Sequence, residues 1–126
     1  MRQASDTETP PGLLAVVPLP RIAVPEAVSL ALALDGMSNP GNLGSTLRTA
    51  AAAGVDVVIL TPNTVDPYNP KVLRGGMGAQ FRLPILELEW AEIALRFGQL
   101  HAYLAAADGA QVFQRHGVVR GQVGCL

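Results

Sequence analysis

The chain has 126 residues, of which 49% are hydrophobic and 15% charged, and its net charge at pH 7 is −1. This composition is typical of one folded domain and excludes a disordered protein. The near-neutral charge excludes binding to nucleic acid through overall charge alone, so any such contact needs a local basic patch or a partner chain. The single cysteine, Cys125, excludes an internal disulfide.

The first part of the chain is predicted to be a linker. The start, "MRQASDTETPPG", does not have the pattern of a signal peptide, and no apolar run in the sequence approaches the roughly 20 residues of a membrane span. Pro18, Pro20 and Pro25 interrupt the apolar stretch that follows, because proline cannot donate to a sheet ladder. We expect a linker or hinge over 1–26, a domain over 27–126, and a cytoplasmic chain without membrane contact.

A strand, a helix and a second strand are predicted next. The runs "VSLALAL" (28–34) and "VDVVIL" (55–60) are continuously apolar, as in buried parallel strands. Between them, Asn42 is suited to cap a helix that ends at Gly54. Strand, helix and strand at this spacing predict a βαβ unit with a right-handed crossover. The expected buried stripe of the helix is Leu43, Leu47, Ala50 and Ala51.

Shorter elements are predicted after residue 60. A turn-rich loop with a short helix near Lys71 to Arg74 leads to "RLPILEL" (82–88), a strand that its internal proline places near an edge or a strand end. "WAEIALRFGQL" (90–100) has the apolar period of a helix, with Trp90, Ile93, Ala94 and Phe97 on one face, and "HAYLAAAD" (101–108) predicts a further strand. This alternation predicts an open, mostly parallel α/β sheet.

The loop over 35–42 is the first candidate site, since ligands of parallel α/β sheets bind beyond the carboxyl ends of the strands. Gly41 and Gly44 allow a ligand or another backbone to approach closely, and the free N–H groups at the helix start favour an anion or a carbonyl. The alternative is a tight turn with an asparagine cap, which the spacing alone favours. Lys71 and Arg74 are open to two interpretations, phosphate contact or a solvated loop.

Other classes of site lack their motifs. "GNLGST" lacks the lysine and the glycine spacing of a P-loop, and "RGGMGAQF" lacks the spacing of a dinucleotide fingerprint. His101 and His116 are the only histidines, so we predict no metal site and no Ser-His-Asp triad. His101, at the start of a predicted strand, is interpreted as structural.

The stretch "DGMSNPGNLGSTLRTAAAAGVDVVIL" resembles the first motif of the SpoU (TrmH) branch of the SPOUT RNA methyltransferases. The following "TVDPYNPKVLRGGMGAQFRLPI" is also similar to this family, and the resemblance covers about residues 13–126. It implies an α/β fold with an open, mostly parallel sheet of SPOUT type (α/β knot). Asn39 departs from the pattern, because the family usually has aspartate there. The residues on the first motif are Asp35, Pro40, Asn42, Gly44, Arg48, Thr49, Ala50, Gly54 and Val55.

The resemblance implies methyl transfer from S-adenosylmethionine to a ribose 2′-hydroxyl in rRNA or tRNA, by an enzyme that is homodimeric at full length. Arg48 matches the family's catalytic arginine and Asn42 its motif asparagine. Because a guanidinium stays protonated, we expect Arg48 to orient the 2′-oxygen or a phosphate and to stabilise developing alkoxide charge. Asn42 would hold the loop or Arg48 itself. The matching cofactor-binding positions are Leu104, Ala105 and Ala106.

Two further family motifs are missing from the sequence. A Gly-x-Glu-x-Gly loop and a Ser-Leu-Asn stretch, which in the family build the trefoil knot and most of the cofactor pocket, do not occur. We therefore expect an incomplete copy, truncated before the trefoil knot, that binds S-adenosylmethionine very weakly. The alternative function is a catalytically inactive remnant that binds RNA or dimerises.

Overall fold

The computed structural model describes residues 16–19, 21–103 and 105. Three parallel strands form one sheet in the order β1-β2-β3 within these ranges, as the predicted open α/β sheet requires. A short 3-10 turn, Ala79–Phe81, precedes the last strand. The strands and helices are β1 Ala31–Leu34, α1 Pro40–Ala53, β2 Val57–Leu60, α2 Pro70–Gly76, β3 Ile85–Glu87 and α3 Trp90–Phe97.

The central strand of this sheet is β2, and all four of its residues are buried. Val58 pairs with Leu32 of β1 and with Ile85 of β3. The strand predictions for 28–34, 55–60 and 82–88 are confirmed, although each observed strand is shorter. Pro84 precedes β3, and its carbonyl accepts a hydrogen bond from the Val58 N–H at 3.0 Å. The proline therefore takes part in the ladder as an acceptor, although it has no N–H to donate.

Helix α1 supplies three of the nine residues of the buried core cluster. Leu43 and Leu47 are completely buried, and each such burial stabilises the fold by about 1.5–3 kcal/mol. Ala50 is also buried, whereas Ala51 is only partly buried. Gly54 ends the helix in the left-handed region (φ 75°), as predicted. The core cluster is Leu34, Leu43, Leu47, Ala50, Val58, Leu60, Val72, Ala79 and Leu83.

The start of α1 corrects the sequence prediction. Asn39, not Asn42, caps the helix: its Oδ1 accepts from the N–H groups of Gly41 at 2.9 Å and Asn42 at 3.1 Å. Pro40 fixes the first helical φ and has no N–H that needs a partner, so the chain enters the helix directly after Asn39. The predicted loop 35–42 therefore ends at residue 39, and Asn42 lies inside the first turn.

Helix α2 begins with the same dipeptide. Asn69 Oδ1 accepts from the Lys71 N–H at 2.9 Å, and Pro70 is the first helical residue. The helix is longer than the predicted Lys71 to Arg74 and ends at Gly76, and the next residue, Met77, has a left-handed φ of 49°. An Asn-Pro pair thus marks the starts of α1 and α2, because the asparagine side chain caps the helix and proline is well suited to the first helical position.

The two ends of the described chain can be compared with the predicted helix 90–100, strand 101–108 and linker 1–26. Helix α3 forms as expected, with Glu89 N–H donating to Glu92 Oε2 at 3.0 Å, but none of its residues is fully buried. Residues 101–103 and 105 are not in a strand, and the remainder of the predicted strand 101–108 lies outside the described residues. Residues 16–19 and 21–26 contain no helix or strand, and the boundary at 26 stays a prediction. Within the described ranges, no helix is long and apolar enough to cross a membrane.

Candidate functional site

The site is built on the crossing of α1 over α2. A β carbon on Gly44 would lie 2.8 Å from the Val72 carbonyl oxygen and 2.9 Å from the Gly75 Cα, which real side chains do not allow. The two helices therefore meet backbone to backbone at this point. Of the two expectations for Gly44, approach by another backbone is confirmed.

Arg48 lies one turn beyond this crossing on the same face of α1. Its side chain is exposed, and Nη1 donates to Met77 Sδ at 3.4 Å. Among the described residues it makes no ion pair. A thioether is a weak acceptor, so the contact orients the guanidinium and leaves its other N–H donors available to a ligand.

Met77 is placed for this contact by the end of α2. Its left-handed backbone terminates the helix, its N–H donates to the Leu73 carbonyl at 3.1 Å, and its side chain is 69% exposed. A non-glycine residue at positive φ is uncommon, and here it turns the side chain toward α1. Sequence reasoning missed this neighbour of Arg48, because the position carries no helix-stop residue such as glycine.

Asn42 is not brought together with Arg48. Its backbone N–H donates to Asn39 and its carbonyl accepts from Ser45 Oγ at 2.9 Å, while its side chain is exposed and makes no hydrogen bond within the described part of the chain. Six positions along a helix place it about 120° around the axis from Arg48. The expectation that Asn42 holds Arg48 is therefore wrong, and the side chain is available to solvent or ligand.

The loops that follow β1 and β2 are tied together at the carboxyl edge of the sheet. Thr61 Oγ1 donates to Asp35 Oδ1 at 2.5 Å and accepts from the Gly36 N–H at 3.1 Å. The Val65 N–H donates to the Met37 carbonyl at 2.9 Å. Asp35 of the first motif thus helps to fix the loop leading into α1.

The sequence profile of the SpoU rRNA methylase family matches residues 29–116, which include this whole arrangement. The chain belongs to the SpoU rRNA methylase family. The motif resemblance to SpoU (TrmH) proteins is therefore confirmed, and with it the assignment of the sheet to the SPOUT type.

Alignment with rRNA methyltransferases shows how much of a SpoU protein this chain covers. The chain is 42% identical over 98 residues to the human mitochondrial rRNA methyltransferase 3, an alignment that covers 71% of this chain and 23% of that protein. It is 40% identical over 82 residues to the 23S rRNA (guanosine(2553)-2′-O)-methyltransferase RlmP of Bacillus subtilis, covering 65% of this chain and 33% of RlmP. The chain thus spans about a quarter to a third of the length of these relatives.

Solved SpoU structures agree with the fold. A TrmH-family protein from Porphyromonas gingivalis superposes with a TM-score of 0.61 at 39% identity, covering 69% of this chain and 35% of that one. An S-adenosylmethionine-bound rRNA methyltransferase from Sinorhizobium meliloti superposes with a TM-score of 0.52 at 36% identity, covering 64% and 31%. The three-stranded sheet and its helices therefore correspond to part of a SpoU methyltransferase domain.

The described residues do not enclose a cofactor pocket. Of the SpoU positions predicted to bind cofactor, Ala105 is exposed, whereas Leu104 and Ala106 lie outside the described residues. A cleft of about 430 Å³ does open at the carboxyl ends of β2 and β3, but its lining does not include residues 101–103 or Ala105. Its charged lining consists of Asp66, Glu87, Glu89 and Glu92.

This cleft is acidic and therefore unsuited to RNA phosphates. Burial, together with the charges of Asp66 and Glu87, raises the pKa of the neighbouring Tyr68. Within the described ranges, no three acidic, histidine or cysteine side chains converge as metal ligands.

The glycine-rich segment "RGGMGAQF" is explained by packing and not by a ligand. Gly75 meets Gly44, and a β carbon on Gly76 would lie 2.5 Å from both polar atoms of the Gln80 side chain. Gln80 is completely buried, and its Nε2 donates to the carbonyls of Pro67 at 3.3 Å and Val72 at 3.1 Å. Gln80 thus joins the loop before α2 to α2 itself, a role with no signal in the sequence.

Proposed function

We propose that this SpoU-family chain acts in methyl transfer from S-adenosylmethionine to a ribose 2′-hydroxyl of rRNA, with Arg48 in contact with the RNA. The proposal rests on the exposure and the contacts of the Arg48 side chain. Its guanidinium is exposed, is oriented by Met77, and is not neutralised by a carboxylate of any described residue. The relatives named above are rRNA methyltransferases, which favours rRNA over tRNA as the substrate.

Arg48 suits the electrostatic demand of this reaction. Negative charge develops on the 2′-oxygen as its proton passes to solvent and the oxygen takes the methyl group from its positively charged carrier, which becomes neutral. A fixed cation stabilises the charge on the oxygen. A guanidinium also binds a phosphate through two parallel N–H bonds, which positions the ribose beside it. We propose that Arg48 does both and that the exposed Asn42 amide contacts the RNA from the first turn of α1.

The cofactor is proposed on the family relationship. S-adenosylmethionine supplies an electrophilic methyl group on a positively charged sulfur. Leu104, Ala105 and Ala106 are the proposed contacts in this chain, and a homodimer in the cytoplasm is the proposed state of the full-length enzyme. The relative named for mitochondria shows that family membership does not fix the compartment.

Single-turnover methylation of rRNA by the full-length enzyme tests the proposal. We expect Arg48→Ala to reduce the rate about a hundredfold, equivalent to about 3 kcal/mol, because it removes a charge that acts on the transition state. Arg48→Lys is expected to fail as well, since an ammonium lacks the planar fork. Arg96→Ala is the matched control, because Arg96 is exposed on α3 with its guanidinium 6.0 Å from the Phe97 ring centre. Equal rates for wild type and Arg48→Ala would refute the assignment.

A second function is an RNA-binding or dimerising module without cofactor. The missing Gly-x-Glu-x-Gly and Ser-Leu-Asn motifs favour it. Calorimetric titration with S-adenosylmethionine separates the two functions. RNA binding without heat from the cofactor and without methyl transfer supports the module, whereas a micromolar dissociation constant supports the enzyme.

A further inference from the structure

We propose that Lys71 and Arg74 bind the RNA phosphates that flank the ribose at Arg48, so that these three side chains form one phosphate-binding strip. This inference rests on the proposed function and extends it from one residue to a surface. It adopts the first of the two interpretations of Lys71 and Arg74 that the sequence leaves open, phosphate contact.

The strip is defined by the geometry of α2. Lys71 and Arg74 are three positions apart, so they lie on one face of the helix with a rise of about 4.5 Å between them. Met77 follows three positions after Arg74, about 60° further around the helix axis, and its sulfur accepts the hydrogen bond from Arg48. Arg48 of α1 therefore continues the row of cations that begins on α2.

The helix crossing keeps this row in register. Gly44 and Gly75 hold α1 and α2 in backbone contact, one turn before Arg48 and one residue after Arg74. The Asn69 cap fixes the start of α2 next to Lys71. Lys71 and Arg74 are thus presented by an ordered, packed helix and not by a solvated loop.

The local charge of the strip is positive although the chain is nearly neutral. Neither α1 nor α2 contains an acidic residue. All three cations of the strip are exposed, and none forms an ion pair with another described residue. A row of unneutralised cations repels itself, and a row of RNA phosphates is the complementary partner that relieves this repulsion.

Two of the three side chains are arginines, which match phosphate oxygens through two parallel N–H bonds. The third, Lys71, binds a phosphate as a point charge. Contacts of this kind position RNA without reading its sequence. The strip is therefore expected to bind single-stranded RNA of any sequence and to place one ribose at Arg48.

Fluorescence anisotropy of the full chain with a labelled, mixed-sequence, single-stranded oligoribonucleotide, titrated over a range of salt concentrations, tests the strip. For single strands, each neutralised phosphate contributes about −0.7 to the slope of log K against log salt concentration. We expect Lys71→Gln and Arg74→Gln each to make the slope shallower by about 0.7, and the double variant to make it shallower by about 1.4. Lys71→Arg, which keeps the charge, should restore the wild-type slope.

Arg96→Gln is the matched control, because it removes an exposed arginine from α3, outside the strip. Thermal melts confirm that every variant is folded. An unchanged slope in the Lys71 and Arg74 variants, or an equal loss of slope in Arg96→Gln, overturns the strip and leaves the role of Arg48 intact. Failure of the wild-type chain to bind the oligonucleotide at low salt overturns both the strip and the proposed function.

Discussion

The backbones of Gly44 and Gly75 are in contact where α1 crosses α2, such that a β carbon on Gly75 would lie 3.3 Å from the Gly44 Cα. This contact determines how far the exposed faces of the two helices stand apart. Arg48 and Met77 lie just beyond the crossing, and the distance between them depends on it. The first prediction follows from this dependence.

Gly44→Ala should destabilise the protein by about 1–3 kcal/mol, because the added methyl group meets backbone atoms that cannot rotate away. Chemical denaturation measures the loss. Gly41→Ala is the matched control: it makes the same change one turn earlier, where the methyl would meet the Asn39 side-chain oxygen at 3.2 Å. Both variants gain helix propensity, so the difference between them compares a collision with fixed backbone atoms at Gly44 with contact to a side-chain oxygen at Gly41. Equal stabilities of the two variants would show that the helices separate freely.

Asn39→Ala should cost about 1 kcal/mol of stability, since it removes the acceptor of two N–H groups at the start of α1. Asn39→Asp should retain most of the stability, because a carboxylate caps as well as an amide. Asn42→Ala should leave the melting temperature nearly unchanged and act only on RNA binding or methylation. A larger loss of stability for Asn42→Ala than for Asn39→Ala would show that Asn42, and not Asn39, caps α1.

Asp56 makes stability depend on acid pH. Its Oδ2 accepts from the Leu30 N–H at 2.9 Å, the Ser29 N–H at 2.7 Å and the Ser29 hydroxyl at 2.8 Å. The Leu30 backbone bond and then the Ser29 bonds lower the pKa of the carboxyl from its ordinary value. Because the folded pKa is lowered, the contribution of Asp56 to stability is present above the unfolded pKa and is lost as pH falls through the folded pKa.

Melting curves of wild type and Asp56→Asn should therefore differ at neutral pH and converge below about pH 4. Glu26→Gln is the control, because Glu26 is exposed and makes no hydrogen bond to another described residue. It should melt like wild type at neutral pH. A gap between wild type and Asp56→Asn that stays constant with pH would contradict the assignment of these bonds to the charged form.

Gly76→Ala should destabilise the protein by about 1–3 kcal/mol, because the new methyl group would collide with the buried Gln80 amide. Gln80→Ala should also cost stability by leaving the Pro67 and Val72 carbonyls without this donor. The double variant should lose clearly less than the sum, because the collision is absent once the amide is removed. Additive losses, measured by denaturation, would mean that the two residues do not interact.

Much of the fold could be predicted because its signals are periodic and local. Continuous apolar runs placed β1 and β2, and Gly54 placed the end of α1. The helix start was missed because Asn39 and Asn42 are both plausible caps by residue type. The discriminating signal was Pro40, whose first-turn preference assigns the cap to the residue before it.

The site was only partly predictable for a different reason. Arg48 stands out as the single charge in an alanine-rich helix, and the family motif contains it. Its contact with Met77, and the passage of Gly75 against Gly44, depend on how two helices far apart in the chain are packed. The sequence can show that a glycine allows close approach, but it does not show which other segment of the chain packs against it.

The parallel register of the sheet has a kinetic consequence. Val58 pairs with Leu32 and Ile85, and a helix lies in the chain between each pair. Neither pairing can form as a hairpin, so α1 and α2, each started by an Asn-Pro cap, have to order or collapse before β2 finds its neighbours. Loop closure then limits the folding rate. Substitutions in the α1 core stripe should therefore slow refolding, whereas those at the exposed strip should leave the refolding rate unchanged.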